Sequence, residues 1–375
     1  MKVLIGLSGG VDSAIAAYKL KEAGYEVTGC FMRNWDAMLN NDYLGNPTVN
    51  DDQCPQEKDF DDAKAVAEKL GIPLLRSDFV KEYWDSVFTY FLDEYKKGRT
   101  PNPDVLCNKY IKFDSFLSFA KSHGFDAIAM GHYAKRVEKD GHAYLAKPYD
   151  RKKDQTYFLC ALKEEQIASC LFPMEDITKV EAREIASKLG LDEVANKHGS
   201  TGICFIGERN FRQFLRNYFP ATKGDIVDIS SKRVIGTHQG VLYYTLGQRH
   251  GLGIGGVKGA GDSPWFVCRK DVEKNVLYVS NGNEDEHLNS DSCLITDINW
   301  IGKKPGSPLS AYVKFRYRQP DHPCEIVFDG ETIRLSYPPF KAVTPGQFAA
   351  FYSEDGRLLG GGIIDRTYYH EERVG

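Results

Sequence analysis

The run Val3-Leu4-Ile5-Gly6-Leu7 is followed at once by Ser8-Gly9-Gly10-Val11-Asp12-Ser13 and then by an amphipathic stretch from Ala14 to Ala23. Apolar strand, glycine turn and helix, in that order, constrain the fold more than any other feature of this chain. The order builds a phosphate cradle, because two glycines let backbone N–H groups crowd a ligand and the helix N-terminus adds positive potential. The Gly-x-x-x-x-Gly-Lys-Ser/Thr pattern is absent, and no Gly-x-Gly-x-x-Gly follows the strand. Neither common nucleotide fingerprint therefore applies. A Gly-Gly pair alone is usually only a turn. The preceding strand, Asp12 and two serines make this one a nucleotide seat.

Beyond the turn, residues 1 to about 130 alternate between strand and helix patterns. Strands are expected at 2–7, 26–31, 73–79 and 126–130, and helices at 12–23, 58–70, 81–95 and 111–121. Repeated strand–helix units imply a parallel sheet covered on both faces. Ligands of such sheets sit at the carboxyl ends of the strands, which puts the 8–13 turn, Met32 and Gly131-His132 on one rim. Residues 34–56 are polar and read as a long loop, a kind usually functional or mobile. A hairpin is expected around Asp140-Gly141, and Thr178-x-x-Glu181 is a capping box opening a helix to Leu189. Residues 197–207 form a glycine-bearing loop, 211–219 a short aromatic helix, and 251–261, with six glycines, a ligand-hugging or mobile loop. From Trp265 onward short strand-like runs, cut by turns such as Asp329-Gly330, read as a small β-barrel or sandwich.

The chain has 375 residues, long enough for two or three domains. The expected division is a nucleotide-binding domain at 1–207, a small central domain at 208–282 and a C-terminal β-barrel at 283–375. The net charge of −4 does not advertise nucleic acid. Residues 205–260, however, hold eight Lys/Arg against three acids. That is either a phosphate-backbone patch or an ordinary solvated face. No apolar run approaches a membrane span, and the N-terminus enters a strand with no room for a signal peptide. A cytosolic, reducing setting is expected, with most of the nine cysteines free thiols. They form no Cys-x-x-Cys pair, so no metal site is expected.

Two cysteines stand out by setting. Cys107 closes Thr100-Pro101-Asn102-Pro103-Asp104-Val105-Leu106, a loop stiffened by two prolines, with a helix expected just beyond. A thiol at a helix N-terminus is helped toward the nucleophilic thiolate. Asp104, three residues away, could serve as a base or a hydrogen-bond anchor. Cys204 sits in Gly199-Ser200-Thr201-Gly202-Ile203-Cys204-Phe205, a loop with the reach to move. The plainer reading of each is a buried small hydrophobe. Lys152-Lys153-Asp154-Gln155 and Arg316-Tyr317-Arg318-Gln319 mix positive charge with amide and aromatic groups that can clamp phosphates and stack on bases. Each alone also suits a surface loop. His132 and His250 read as structural.

Taken together these segments resemble a known family. Ser-Gly-Gly-x-Asp-Ser after a first strand looks like the PP-loop of the ATP pyrophosphatases. With Asn102-Pro103-Asp104-x-x-Cys107-Asn108, Gly131-His132-Tyr133-Ala134, Asp154-Gln155-Thr156-Tyr157-Phe158-Leu159, Ser200-Thr201-Gly202-Ile203-Cys204-Phe205-Ile206-Gly207, the glycine loop from Tyr244 to Gly256 and Arg316-Tyr317-Arg318-Gln319, the chain resembles bacterial tRNA-specific 2-thiouridylases of the MnmA type. The resemblance runs in order over essentially the whole length. It implies an α/β PP-loop domain, a small central domain and a C-terminal β-barrel. It further implies that ATP, with Mg²⁺, lies on Gly6, Leu7, Ser8, Gly9, Gly10, Val11, Asp12 and Ser13, near Met32 and Gly131.

By the same resemblance, Cys204 carries sulfur as a persulfide. Cys107 acts as nucleophile, and the two pair in a transient Cys107–Cys204 disulfide. Asn102, Pro103 and Asp104 meet the target base, while Lys153, Asp154, Gln155, Arg316 and Tyr317 touch tRNA. The implied partners are a tRNA with a wobble uridine and a sulfur-carrier protein. The implied reaction is adenylation of the uracil C2 oxygen followed by sulfur transfer, giving 2-thiouridine, AMP and pyrophosphate. The turn by itself also suits other adenylating enzymes, such as amide-forming or argininosuccinate-type synthetases. The basic middle with a barrel suits a tRNA-binding protein without turnover.

Overall fold

Val3, Leu4 and Ile5 are fully buried, and the strand they build, β1 (Lys2–Gly6), is the middle of the first sheet. A continuous apolar run suits a strand covered on both faces. The computed structural model describes residues 1–48, 55–197, 206, 209–254, 263–282 and 286–374. After β1 come β2 (Glu26–Arg33), β3 (Leu74–Asp78), β4 (Ala127–Ala129), a hairpin of β5 (Lys135–Lys139) and β6 (His142–Ala146), and the short β7 (Cys170–Leu171). The order β3-β2-β1-β4-β7 is parallel throughout. The connections run outward from β1 to β3 and then return to its other side at β4. The crevice between the carboxyl ends of β1 and β4 is therefore a topological switch point, where open α/β sheets take their ligands.

Alternate residues of β1 face opposite cores. Val3 and Ile5 pack with Ala14, Ile15, Ala63 and Val66, from helices α1 (Val11–Glu22) and α2 (Pro55–Leu70). Leu4 packs on the other side with Phe88, Phe113 and Phe116, which belong to two long helices, α3 (80–96) and α4 (103–122), each with a π-helical stretch, Trp84–Phe88 and Asn108–Ser115. The helix α5 (Lys179–Lys188) opens on the expected capping box. The Thr178 hydroxyl accepts from the Glu181 N–H at 3.2 Å, and the Glu181 carboxylate accepts from the Thr178 N–H at 2.7 Å.

Two further sheets follow. A four-stranded one has the order β10-β11-β8-β9, from β8 (Gly224–Asp228), β9 (Val234–His238), β10 (Trp265–Asp271) and β11 (Val276–Asn281). The strands after Trp265 thus begin in this central sheet, β11 pairing parallel to β8, not in the barrel. The barrel is built from β12 (Asn289–Trp300), β13 (Leu309–Lys314), β14 (His322–Asp329), β15 (Thr332–Lys341), β16 (Phe348–Tyr352) and β17 (Arg357–Tyr369). Their order β12-β15-β14-β13-β16-β17 closes because β12 also pairs β17. Closure removes the open edges. The Asp140-Gly141 hairpin is present, but it extends the barrel sheet, with Ala146 and Leu145 opposite Arg357 and Leu358.

The polar stretch after β2 is not an open loop over its described part. Asn34, Trp35, Asn40, Asp42 and Asn46 are all buried. Trp35 stands 4.8 Å from Phe88 and 6.4 Å from Phe214 of helix α6 (Phe211–Leu215), ring centre to ring centre. The stretch thereby joins the parallel sheet to the central part of the chain. Residues 55 and 56 already belong to α2.

Candidate functional site

Gly9 takes φ +69°, and a Cβ there would stand 2.6 Å from the Asp59 carbonyl of α2. Only glycine makes this turn at this approach. Gly10 is the N-cap of α1, with extended backbone and no side-chain cap. The first N–H groups of the helix therefore lack an intrahelical partner, and the dipole end is open to an anion. The turn is stiffened from inside. The Ser13 hydroxyl accepts from the Ser8 N–H at 3.2 Å and donates to the Gly10 carbonyl at 2.9 Å.

Its neighbours crowd close. A Cβ on Gly131, just past β4, would lie 2.8 Å from the Ser13 nitrogen, and one on Gly6 would lie 2.8 Å from the Met32 methyl. Residues 6–13, Met32 and Gly131 are thus brought together at the switch point. Asp12 faces Lys179 Nζ at 2.6 Å and the Tyr133 hydroxyl at 2.9 Å, both donating to one carboxylate oxygen. Burial, with Asp12 next, raises the Tyr133 pKa far above the usual phenol value.

The Asn102–Cys107 segment departs from the sequence expectation in one respect. The helix begins before the cysteine, at Pro103, and Cys107 ends its first turn with no exposed surface. Asn102 caps it by accepting from the Val105 N–H at 3.3 Å, and Pro103 fills the position where an N–H is not needed. Asp104 and Cys107, three apart in a helix, share a face.

The barrel holds this start in place. Gln347 Nε2 donates to the carbonyls of Thr100 at 2.8 Å and Pro101 at 3.1 Å, and Gln347 Oε1 accepts from Asn102 Nδ2 at 3.2 Å. The Thr100 N–H donates to the Pro345 carbonyl at 2.9 Å, and Arg99 pairs with Asp365 at 2.8 Å. Thr100 also touches Thr245 of the central part, hydroxyl to hydroxyl, at 3.4 Å.

The two candidate RNA-contacting stretches adjoin each other, with the Phe158 and Tyr317 rings 4.7 Å apart. Arg316 is exposed, and Lys153 and Tyr317 are half-buried. Gln155 ties this region to the nucleotide rim, since its side-chain oxygen accepts from the Tyr133 N–H at 2.9 Å. Asp154 is turned inward. It is 4% exposed and spends its carboxylate on Thr156 at 2.6 Å and Lys314 at 2.8 Å. Cys204 and Gly207 lie outside the described residues, as do residues 255–262 of the glycine loop. Sequence reasoning missed Gln347, Lys179 and Tyr133. The Pro345-Gly346-Gln347 turn was the one available signal, and nothing in it named a partner 247 residues away. Among the described residues no cluster of three or more His, Cys, Asp or Glu is placed to hold a metal.

A parallel sheet carrying a glycine turn and an uncapped helix start at its switch point, with a mixed sheet and a closed barrel behind it, defines a nucleotide-binding protein of the PP-loop class. Family models agree with that class. One described as the tRNA methyl transferase HUP domain matches residues 1–208, a tRNA methyl transferase PRC-barrel domain matches 212–281, and an aminomethyltransferase beta-barrel domain matches 290–364. The tRNA-specific 2-thiouridylase MnmA of Mycoplasma mycoides subsp. mycoides is 53% identical over 98% of this chain and 99% of its own. Those of Mesoplasma florum and Acholeplasma laidlawii are each 51% identical, over 97% and 99% of this chain and 98% of theirs. The chain belongs to the tRNA-specific 2-thiouridylase MnmA family. A solved NMN synthetase from Francisella tularensis aligns with 54% of this chain and 67% of its own at 16% identity, with a TM-score of 0.32, too low to bear on the fold. No helix among the described residues is long and apolar enough to cross a membrane.

Proposed function

We propose that this chain thiolates the wobble uridine of tRNA at C2, using ATP. The observation that carries the reading is the uncapped start of α1 meeting Gly131, with Met32 against Gly6 beside it at the switch point, in a chain whose full-length relatives are named for 2-thiouridylation. Two of the matched domain models have methyl transferase in their descriptions. Thiolation is preferred because the whole-length relatives are named for it and because it gives a phosphate seat and two thiols work to do.

The uracil C2 oxygen is a poor leaving group. Attack of that oxygen on the α-phosphorus of ATP expels pyrophosphate and leaves an oxygen that can depart as AMP. The first N–H groups of α1 hold the phosphates, and Met32 and Gly131 border the nucleotide. Mg²⁺ entering with the nucleotide would offset the phosphate charge, a role that calls for few protein ligands. A sulfur-carrier protein loads Cys204 as a persulfide. Whether the persulfide attacks C2 itself or is first released as sulfide, the balance is the same. The Cys107 thiolate attacks the Cys204 sulfur, the persulfide S–S bond breaks, the outer sulfur ends on C2, and a Cys107–Cys204 disulfide is left for an external thiol to reduce. Asn102, Pro103 and Asp104 meet the base. Lys153, Gln155, Arg316 and Tyr317 hold the RNA, while Asp154 braces them from beneath.

Incubation with ATP, tRNA and a persulfide donor should give tRNA retarded on a mercury gel. Cys107→Ser should lower that product on the order of 1000-fold. Undiminished product would remove Cys107 from the reaction. AMP release driven by a small acid without RNA would identify a synthetase instead, and tRNA binding indifferent to ATP would identify a binding protein.

A further inference from the structure

Asp150 divides its carboxylate between two helix starts. One oxygen accepts from the Lys152 N–H at 3.1 Å and caps the single turn Arg151–Lys153. The other accepts from the Lys179 N–H, the first of α5, at 3.0 Å. Lys179, with a side chain 12% exposed, carries its ammonium to Asp12 Oδ1 at 2.6 Å. At the far end of the same stretch, Gln155 and Tyr133 are joined twice. The Gln155 side-chain oxygen accepts from the Tyr133 N–H at 2.9 Å, and the Tyr133 carbonyl accepts from the Gln155 N–H at 3.0 Å. The buried Tyr133 ring then sets its hydroxyl on that same Asp12 oxygen, at 2.9 Å. Both ends of the stretch 150–155 thus lead to one oxygen of one residue, in the first turn of α1.

Asp12 stands beside the open N–H groups of α1, where an unheld carboxylate would repel a phosphate. Tyr133 and Lys179 hold it from one side. Burial keeps the Tyr133 phenol protonated, and so a donor. RNA that grips Lys153 and Gln155 fixes the stretch they belong to, and with it Tyr133 and Lys179. Asp12 is then already ordered when ATP arrives, and the second ligand has less freedom left to remove. The effect runs equally in both directions, as binding linkage requires. We infer that Tyr133 and Lys179 are positioning residues that couple tRNA to ATP, each ligand raising the affinity for the other through Asp12. ATP is thereby held best when an RNA is seated to receive its AMP. The coupling rests on the tRNA thiolation reading, and the test separates the two.

The probe is α,β-methylene-ATP, which cannot be split at the α-phosphate. It is titrated into the protein with and without saturating unmodified tRNA, and tRNA is titrated with and without the analogue. In wild type each ligand should tighten the other about fivefold or more, by the same factor both ways. Tyr133→Phe keeps the ring and both bonds to Gln155 and loses only the hydroxyl. It should bring the factor below about twofold. Lys179→Met cuts the other route, should lower the factor likewise, and guards against a Tyr133 variant that folds poorly. The factor compares each protein with itself, so a lost charge or a smaller folded fraction leaves it unmoved. A fallen factor in either variant supports the coupling. A wild-type factor in both, as a role in folding alone predicts, overturns it, and so does a factor of one in wild type. Thiolation is scored separately with ATP, tRNA and a persulfide donor. Wild type that thiolates with a factor of one sinks the coupling alone. A factor that falls in the variants, in a protein that yields no thiolated tRNA, sinks the thiolation reading alone.

Discussion

His132 shows what one residue owes to its surroundings. It is 9% exposed, its Nδ1 has no partner among the described residues, and its ring lies 5.7 Å from that of Phe113. Burial first, and the charge of Lys112 second, hold its pKa well below the usual 6.5. The unfolded chain therefore binds a proton near pH 6.5 that the folded chain refuses. This contribution to stability is complete above pH 6.5 and is lost as the pH falls. For one group the slope is about 1.4 kcal/mol per pH unit. Urea unfolding at pH 7.5 and 5.5 should show wild type losing about 1.4 kcal/mol more than His132→Gln over that interval. An equal loss in both would mean that the imidazole charges in the folded state. The sequence placed His132 at a strand end and suggested a structural residue. Its neutrality was not legible, because it depends on a ring from another helix.

Among the elements, the phosphate turn was the most legible, since its two glycines, Asp12 and both serines lie within six consecutive residues. Its two glycines are nevertheless not equivalent. Gly9→Ala puts a Cβ 2.6 Å from a backbone oxygen at φ +69°, a strain on the order of 1–3 kcal/mol. Gly10→Ala meets only the Ser8 hydroxyl at 3.4 Å, in backbone that alanine adopts freely. Thermal unfolding and ATP titration should therefore show Gly9→Ala destabilised and weakened in nucleotide binding, with Gly10→Ala close to wild type in stability. Equal behaviour would mean that α2 yields to the new methyl group. The helix at Cys107 was half legible. Asn102 followed by Pro103 is a cap signal, but it was read as part of a stiff loop, and with the helix expected at 111–121 its start was put eight residues late. The stretch after β2 is a loop over its described part, as its sequence suggested, but what its buried residues hold was not legible. The groups that anchor it come from far along the chain, such as Arg209 on Asp42 and Tyr218, whose hydroxyl donates to the Asn40 backbone carbonyl at 2.7 Å.

Across the whole molecule, the alternating first third was readable because strand and helix there follow from local periodicity. The assembly of the three parts was not, because it is made by pairs hundreds of residues apart. The β5–β6 hairpin joins the barrel sheet at β17. Behind it the buried Asp154–Lys314 pair sits in a network with Asp321, Lys147 and Tyr352. Lys314 is 3.7 Å from Asp321, Lys147 pairs with Asp321 and lies 4.7 Å from the Tyr352 ring centre, and Tyr352 meets the Thr156 hydroxyl at 3.1 Å. Lys147, Asp154 and Thr156 belong to the chain before the central sheet, the other three to the barrel. This junction should make the nucleotide domain and the barrel unfold together. Asp154→Leu leaves the Lys314 ammonium buried without its nearest partner, at a cost of about 3–5 kcal/mol. Lys314→Met in the same background removes that stranded charge, so the double variant should be more stable than Asp154→Leu alone, a coupling resolved by a double-mutant cycle. Calorimetry should give one transition for wild type and two for Asp154→Leu, the barrel separating from the parallel sheet. Additive losses below about 1 kcal/mol, as for exposed pairs, would show that the barrel is held by its other contacts, among them the hairpin, Gln347 on residues 100–102 and Arg99–Asp365.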